Sequence, residues 1–206
     1  MFYLGLDLGQ RVDHTALALV EKIERWRPYG EPEFEALHVR YVERMPLGTP
    51  YPAVVEYVRR VLSHAELWKQ TQLVVDATGL GAPVVEMLRQ AGLECQMWAV
   101  TITSGEKETQ GAYGSWNVPK LDLIAGLQVL MEQDQLHVAK DLPEVGALVR
   151  ELMDVRVTAR EGGRSRVGAD GRGQHDDLVM ALALACWKGR KVVKKIGLGG
   201  GRILRM

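Results

Sequence analysis

Apolar residues open the chain in two runs. Residues 2–8 (FYLGLDL) are apolar except for Gly5 and Asp7, and residues 15–20 (TALALV) follow the polar stretch 10–14. This pattern predicts two strands joined by a tight, Gly-containing turn. Residues 22–32, rich in charge, Trp and Pro, read as a connecting loop. Residues 33–43 (EFEALHVRYVE) alternate as a third strand does. Three strands in succession predict an antiparallel meander. Residues 46–52 read as a loop. From 51 to 68 the apolar positions Val54, Val55, Val58, Val61, Leu62, Ala65 and Trp68 recur at helical spacing.

The pattern then changes to alternating strands and helices. Residues 73–76 (LVVD) form a short apolar strand ending in a carboxylate. A turn through Thr78, Gly79, Leu80 and Gly81 leads to Pro83, which can open a helix over 84–91, and Gly92 can close it. Residues 94–100 read as a further strand. The polar, Gly-rich stretch 103–117 is left without assigned structure. From Pro119 a long helix presents Leu121, Leu123, Ile124, Leu127, Leu130 and Met131 on one broad face. A short strand over 135–138, a helix over 143–152 and a strand over 154–158 follow. Residues 160–173, rich in Gly and Arg, are a loop or a hairpin. His175, Asp176 and Asp177 precede a strongly apolar helix over 178–187. A meander followed by strand–helix–strand units predicts an α/β fold with a mixed sheet flanked by helices.

Composition bounds this picture. A chain of 206 residues suits one domain, expected over 1–190, with a basic, Gly-rich tail over 191–206. The 26 basic and 26 acidic residues cancel, so only the distribution of charge can indicate a polyanionic partner. The two cysteines, Cys95 and Cys186, form no CxxC pair, which gives no zinc motif and fits a reducing compartment. No apolar run reaches transmembrane length and the start does not read as a signal peptide. A soluble, cytoplasmic protein without a membrane partner is expected.

Carboxylates stand at three conspicuous places. Asp7 ends the first strand, Asp76 ends the first strand of the α/β half, and Asp176 and Asp177 start the last helix. Each has an ordinary reading. Asp7 and Asp76 can serve turns, and one of the last pair can cap its helix. Together they fit a different chemistry. Two divalent cations about 4 Å apart need a cluster of hard oxygen ligands, and such a pair stabilises the attacking water and the leaving oxygen in phosphodiester cleavage. If the first and fourth strands are neighbours, Asp7 and Asp76 meet.

Four stretches in order, GLDLGQRVDHTALALVE (5–21), LVVDATGLGAPVVEML (73–88), VPKLDLIAGLQVLMEQDQL (118–136) and HDDLVMALALACW (175–187), resemble the nuclease domain of phage terminase large subunits, within the ribonuclease H-like superfamily. The resemblance implies a ribonuclease H-like mixed sheet: a meander of three antiparallel strands plus parallel strands, flanked by helices. It implies that Asp7, Asp76 and Asp177 are the catalytic metal ligands, for two Mg2+ or Mn2+ ions. Asp176 would support or share a metal, and Asp13 matches an acidic position in some members. The implied function is a metal-dependent endodeoxyribonuclease that cuts double-stranded DNA with little sequence preference during viral genome packaging. The implied partners are an ATPase motor domain and a packaging portal, in the host cytoplasm. Large subunits of this family carry an ATPase motor before the nuclease domain, yet no GxxxxGK[ST] phosphate loop occurs in this chain. An isolated nuclease domain or a stand-alone relative, unable to translocate DNA by itself, is expected.

DNA binding needs positive charge near the carboxylates. Arg156, Arg160, Arg164, Arg166 and Arg172 lie in the segment leading to Asp176, and its glycines would let it move as a phosphate-gripping hairpin. The same run also reads as a solvated loop. Lys120 is a candidate phosphate contact or a surface lysine. His175 is a candidate for the leaving group, for a metal or for the helix cap. Tyr113 and Trp116 read as core or loop anchors before DNA contacts. Two rivals share the pattern: a Holliday-junction resolvase-like nuclease, and a sugar-kinase or actin-like ATPase, whose first phosphate hairpin LDLGQRVDHTALALV resembles. The ATPase folds need a second phosphate hairpin and an adenosine motif, which the chain lacks. An inactive DNA-binding subunit is a third reading, opposed by the intact carboxylates.

Overall fold

In chain order the elements are β1 (Phe2–Asp7), β2 (Ala16–Arg25), β3 (Glu33–Arg44), α1 (Tyr51–Leu62), β4 (Thr71–Asp76), α2 (Gly81–Gln90), β5 (Gln96–Thr103), β6 (Thr109–Gln110), β7 (Trp116–Pro119), α3 (Lys120–Glu132), β8 (Leu136–Val138), α4 (Val145–Asp154), β9 (Val155–Ala159), β10 (Ser165–Ala169) and α5 (Asp177–Gly189). This computed structural model describes residues 1–9, 13–25, 33–79, 81–159, 165–169 and 176–191.

Strand β1 organises the sheet. On one side it pairs antiparallel with β2, placing Tyr3 opposite Val20 and Asp7 opposite Ala16, and β2 pairs antiparallel with β3. On the other side β1 runs parallel to β4, β4 to β5, and β5 to β7. The order of the eight-stranded sheet is β6-β7-β5-β4-β1-β2-β3-β8. The expected mixed α/β sheet, a three-strand meander joined to parallel strands, is therefore found. The neighbouring first and fourth strands are found with it.

Alternation along the strands divides the core in two. Leu4, Leu6, Leu17, Leu19, Leu73 and Val75 point to the face covered by α1 and α2. Tyr3, Ala18, Val20, Val74 and Val100 point to the face covered by α3, α4 and α5. Helix α5 is apolar all round because it is buried all round: Asp177 to Trp187 and Gly189 are all buried. Its far end is held by the Trp187 indole N–H, which donates to Glu108 at 2.9 Å, and by edge-to-face packing of Trp187 on Trp116 at 5.8 Å. Trp116 is thus a packing residue, while the Tyr113 side chain lies outside the described residues.

Several boundaries differ from the sequence expectation. The helix expected over 51–68 stops at Leu62. Ser63, His64 and Lys69 turn the chain, Lys69 at φ +56°, so Leu67 is buried while Trp68 is exposed. Strand β2 runs on through Arg25 into the segment expected as loop, because β3 is long enough to pair with it. Helix α2 begins at Gly81 rather than behind Pro83, and β5 begins at Gln96. The unassigned stretch 103–117 contains β6 and the start of β7, whose pairing comes from β5 rather than from local pattern. Residues 160–173 include β10, antiparallel to β9, so the hairpin alternative is the one found.

Candidate metal centre

Two adjacent parallel strands end side by side in carboxylates. Leu6 pairs with Val75, which brings Asp7 of β1 next to Asp76 of β4 at the same edge. Asp177 reaches this edge from α5, and the reason is a close approach further back. A Cβ built on Gly5 would stand 1.9 Å from the Ala181 carbonyl oxygen and 2.9 Å from the Ala185 amide nitrogen. The missing side chain lets helix backbone meet strand backbone. Asp7 is two residues from Gly5, on the same face of β1. Asp177 is one turn from Ala181, on the same face of α5. One contact therefore sets both carboxylates.

These residues line a polar cleft of about 310 Å³ that also receives Asp13, Asp176 and Lys120. Burial pushes the Asp7 carboxyl well above the usual carboxylate range, and the charges of Asp76, Asp177 and Asp176 push it further. Asp76 is fixed by an Asx turn. Its Oδ1 accepts the Thr78 amide N–H at 2.8 Å and the Thr78 hydroxyl, and that hydroxyl accepts the Ile102 N–H at 2.8 Å. Asp176 stands at the N-cap position of α5 but makes no side-chain cap bond. It accepts instead from Lys120 Nζ at 2.6 Å.

Asp177 is 5% exposed. Arg44, at the end of β3, places Nε 3.8 Å from Asp177 Oδ2 and pairs through Nη2 with Glu151 of α4. Glu151, itself 6% exposed, accepts the Val179 N–H in the first turn of α5 at 3.1 Å.

The cleft gathers Asp7, Asp76, Asp177, Asp176, Asp13 and Lys120. Arg160, Arg164, Arg172 and His175 lie outside the described residues, and Arg166 sits on β10 with its side chain undescribed. Thr78, Arg44 and Glu151 were not picked out from sequence. Thr78 had a signal, since a hydroxyl two residues after an Asp is an Asx-turn pattern. Glu151 had one too: a carboxylate three residues after Leu148 falls on the buried stripe of α4. Arg44 had none.

Among the described residues no three His, Cys, Asp or Glu side chains are placed so that together they could hold a metal ion. The donor chemistry nonetheless fits hard divalent ions. The cleft offers several carboxylates and no described imidazole or thiolate, which suits Mg2+ or Mn2+ over zinc or copper.

No protein-family model matches the sequence, and no curated protein does. Solved structures do. The large terminase nuclease of thermophilic phage G20c with bound magnesium aligns at TM-score 0.60 and 24% identity, over 91% of this chain and 81% of that one. The large terminase nuclease domain of Thermus phage P74-26 aligns at TM-score 0.60 and 22% identity, over 90% and 77%. A mutant nuclease domain of the large terminase subunit of bacterial virus Sf6, with manganese and beta-thujaplicinol, aligns at TM-score 0.67 and 12% identity, over 90% and 87%. The chain thus has the ribonuclease H-like fold of the terminase nuclease domains, along nearly its whole length.

Proposed function

We propose that this chain is a divalent-metal-dependent endonuclease that cleaves double-stranded DNA with little sequence preference, as the nuclease part of a phage packaging machine in the host cytoplasm. The observation that carries the reading is the convergence of Asp7, Asp76 and Asp177, from three elements, on one cleft at the end of β1 and β4. The shared fold supports it, since terminase nucleases of that fold were solved with magnesium, manganese and cobalt. Among the described residues no helix is long and apolar enough to cross a membrane.

Asp7, Asp76 and Asp177 would hold the cations, with Asp176 and Asp13 beside them. A pair of Mg2+ or Mn2+ ions supplies charge stabilisation for the attacking and leaving oxygens of phosphodiester hydrolysis. The chain supplies position. Thr78 fixes the Asp76 carboxylate, and the Gly5 contact fixes Asp7 against Asp177. Lys120 bridges the cleft to Asp176 and offers its ammonium to a phosphate. The arginines before α5, namely Arg160, Arg164, Arg166 and Arg172, would grip the backbone, and His175 would sit beside them. Residues 1–190 would form the nuclease domain and 191–206 a basic tail. An ATPase motor and a portal would restrain it.

The test is digestion of supercoiled plasmid with and without Mn2+. Wild type should nick and linearise it only with the metal. Asp7→Asn should lower the rate by more than about a hundred-fold while remaining folded. Metal-dependent cutting at an undiminished rate by Asp7→Asn would remove this site from the mechanism. Cutting confined to four-way junctions would favour the resolvase reading.

A further inference from the structure

We propose that Arg44 and Glu151 are positioning residues for Asp177, holding its carboxylate in the cleft. The proposal rests on the metal-dependent reading above. A buried carboxylate is costly unless it is paired and hydrogen-bonded, and Glu151 is buried in the middle of α4 at 6% exposure. Both of its oxygens are used. Oε2 accepts the Val179 N–H at 3.1 Å, and Oε1 pairs with Arg44 Nη2. Arg44 in turn sets Nε 3.8 Å from Asp177 Oδ2. The path leaves α5 at the Val179 backbone, passes through Glu151 and Arg44, and returns to α5 at the Asp177 side chain. Backbone and side chain of the same helical turn thus meet one ion pair, with Glu151 buried and Arg44 half-buried, by a hydrogen bond at Val179 and a charge contact at Asp177.

This arrangement also explains why two adjacent aspartates can both face the cleft. A helix start needs acceptors for its free N–H groups, and the residue at the N-cap ordinarily supplies one. Asp176 occupies that position without making the bond and engages Lys120 instead. Glu151 supplies an acceptor from another helix, so Asp176 is not consumed by capping. Arg44 is well placed for its part. It ends β3 opposite Ala16, and Ala16 is opposite Asp7, so the guanidinium is anchored to the sheet that carries the other carboxylates.

A purely electrostatic role and a positioning role predict opposite signs. Arg44 is a cation beside a cation site, so by charge alone its removal should tighten metal binding. As a positioning residue, its loss should weaken it. Mn2+ binding to the full chain is read from the electron paramagnetic resonance signal of free Mn2+, alongside cleavage rate against Mn2+ concentration and melting in EDTA. Arg44→Gln should raise the Mn2+ concentration for half-saturation about ten-fold. Arg44→Lys should recover part of the loss. Glu151→Gln keeps an acceptor for Val179 but loses the charge facing Arg44. It should weaken Mn2+ binding too, and excess Mn2+ should restore its cleavage rate. A folded Arg44→Gln that binds Mn2+ as tightly as wild type, or more tightly, overturns the proposal. If that variant does not fold, unchanged Mn2+ affinity in both Arg44→Lys and Glu151→Gln overturns it. Wild type that binds no Mn2+ would instead bring down the nuclease reading, and this inference with it.

Discussion

Asp7 is the residue where structure and chemistry pull against each other. Its carboxyl is held well above the ordinary range by burial first and by Asp76, Asp177 and Asp176 next. An acid whose folded pKa is raised contributes stability that is complete below its unfolded pKa, about 3.9, and is lost as pH climbs through the folded value. Metal-free protein should therefore carry a penalty at neutral pH that Asn, which has no proton to lose, avoids. In EDTA at pH 7, Asp7→Asn should melt above wild type, and the two curves should converge as pH falls toward about 4. Adding millimolar Mn2+ should raise the wild-type melting temperature more than that of the variant. Calorimetry across pH measures this directly, and a wild type that melts higher than Asp7→Asn in EDTA at pH 7 would contradict it.

At the scale of elements, the contact between β1 and α5 decides the site. Gly5→Ala would drive a methyl into the Ala181 carbonyl, and neither partner can yield by rotating a side chain. Helix α5 must lift, taking Asp177 away from Asp7. Urea denaturation should show a loss of about 3 kcal/mol, and cleavage should fall even where the protein is fully folded. Retention of wild-type stability would mean that the helix can shift freely. The sequence already carried much of this scale. The meander was legible because β1, β2 and β3 alternate over a sheet with distinct faces, and α5 because an apolar run of its length follows two aspartates. What was not legible depended on partners distant in the chain. β7 is four residues long and exists because β5 offers it an edge. The end of α1 is set by a turn that periodicity does not register. Asp7, Asp76 and Asp177 were readable as strand and helix termini, whereas Arg44 acquires its role only where β3, α4 and α5 meet.

For the molecule as a whole, 26 basic and 26 acidic residues leave no net charge to draw in DNA. On the proposed reading, engagement of a duplex would rest on local cations, and the arginines before α5, on a Gly-rich segment, would contact phosphates. Binding to a random-sequence duplex, followed by fluorescence anisotropy, should weaken steeply with salt. Replacing Arg160, Arg164 and Arg166 with Ala should weaken it equally on all sequences and flatten the log–log salt slope by up to about 3. A single preferred site on a long duplex would reveal base readout.

The covering of β1 by α5 has a further consequence for how the chain is made. Synthesis delivers β1 before the rest of the sheet, and α5 is the last described element to follow it. Until then Tyr3, Ala18 and Val20 lack the helix that packs on β1 and β2, and until residue 138 is made the outer edge of β3 has no β8 to pair with. A nascent meander of this kind presents a bare apolar face and an open strand edge, the features that invite wrong association. The meander must stay clear of other chains, over the whole interval of synthesis between the two elements, until α5 arrives to cover β1.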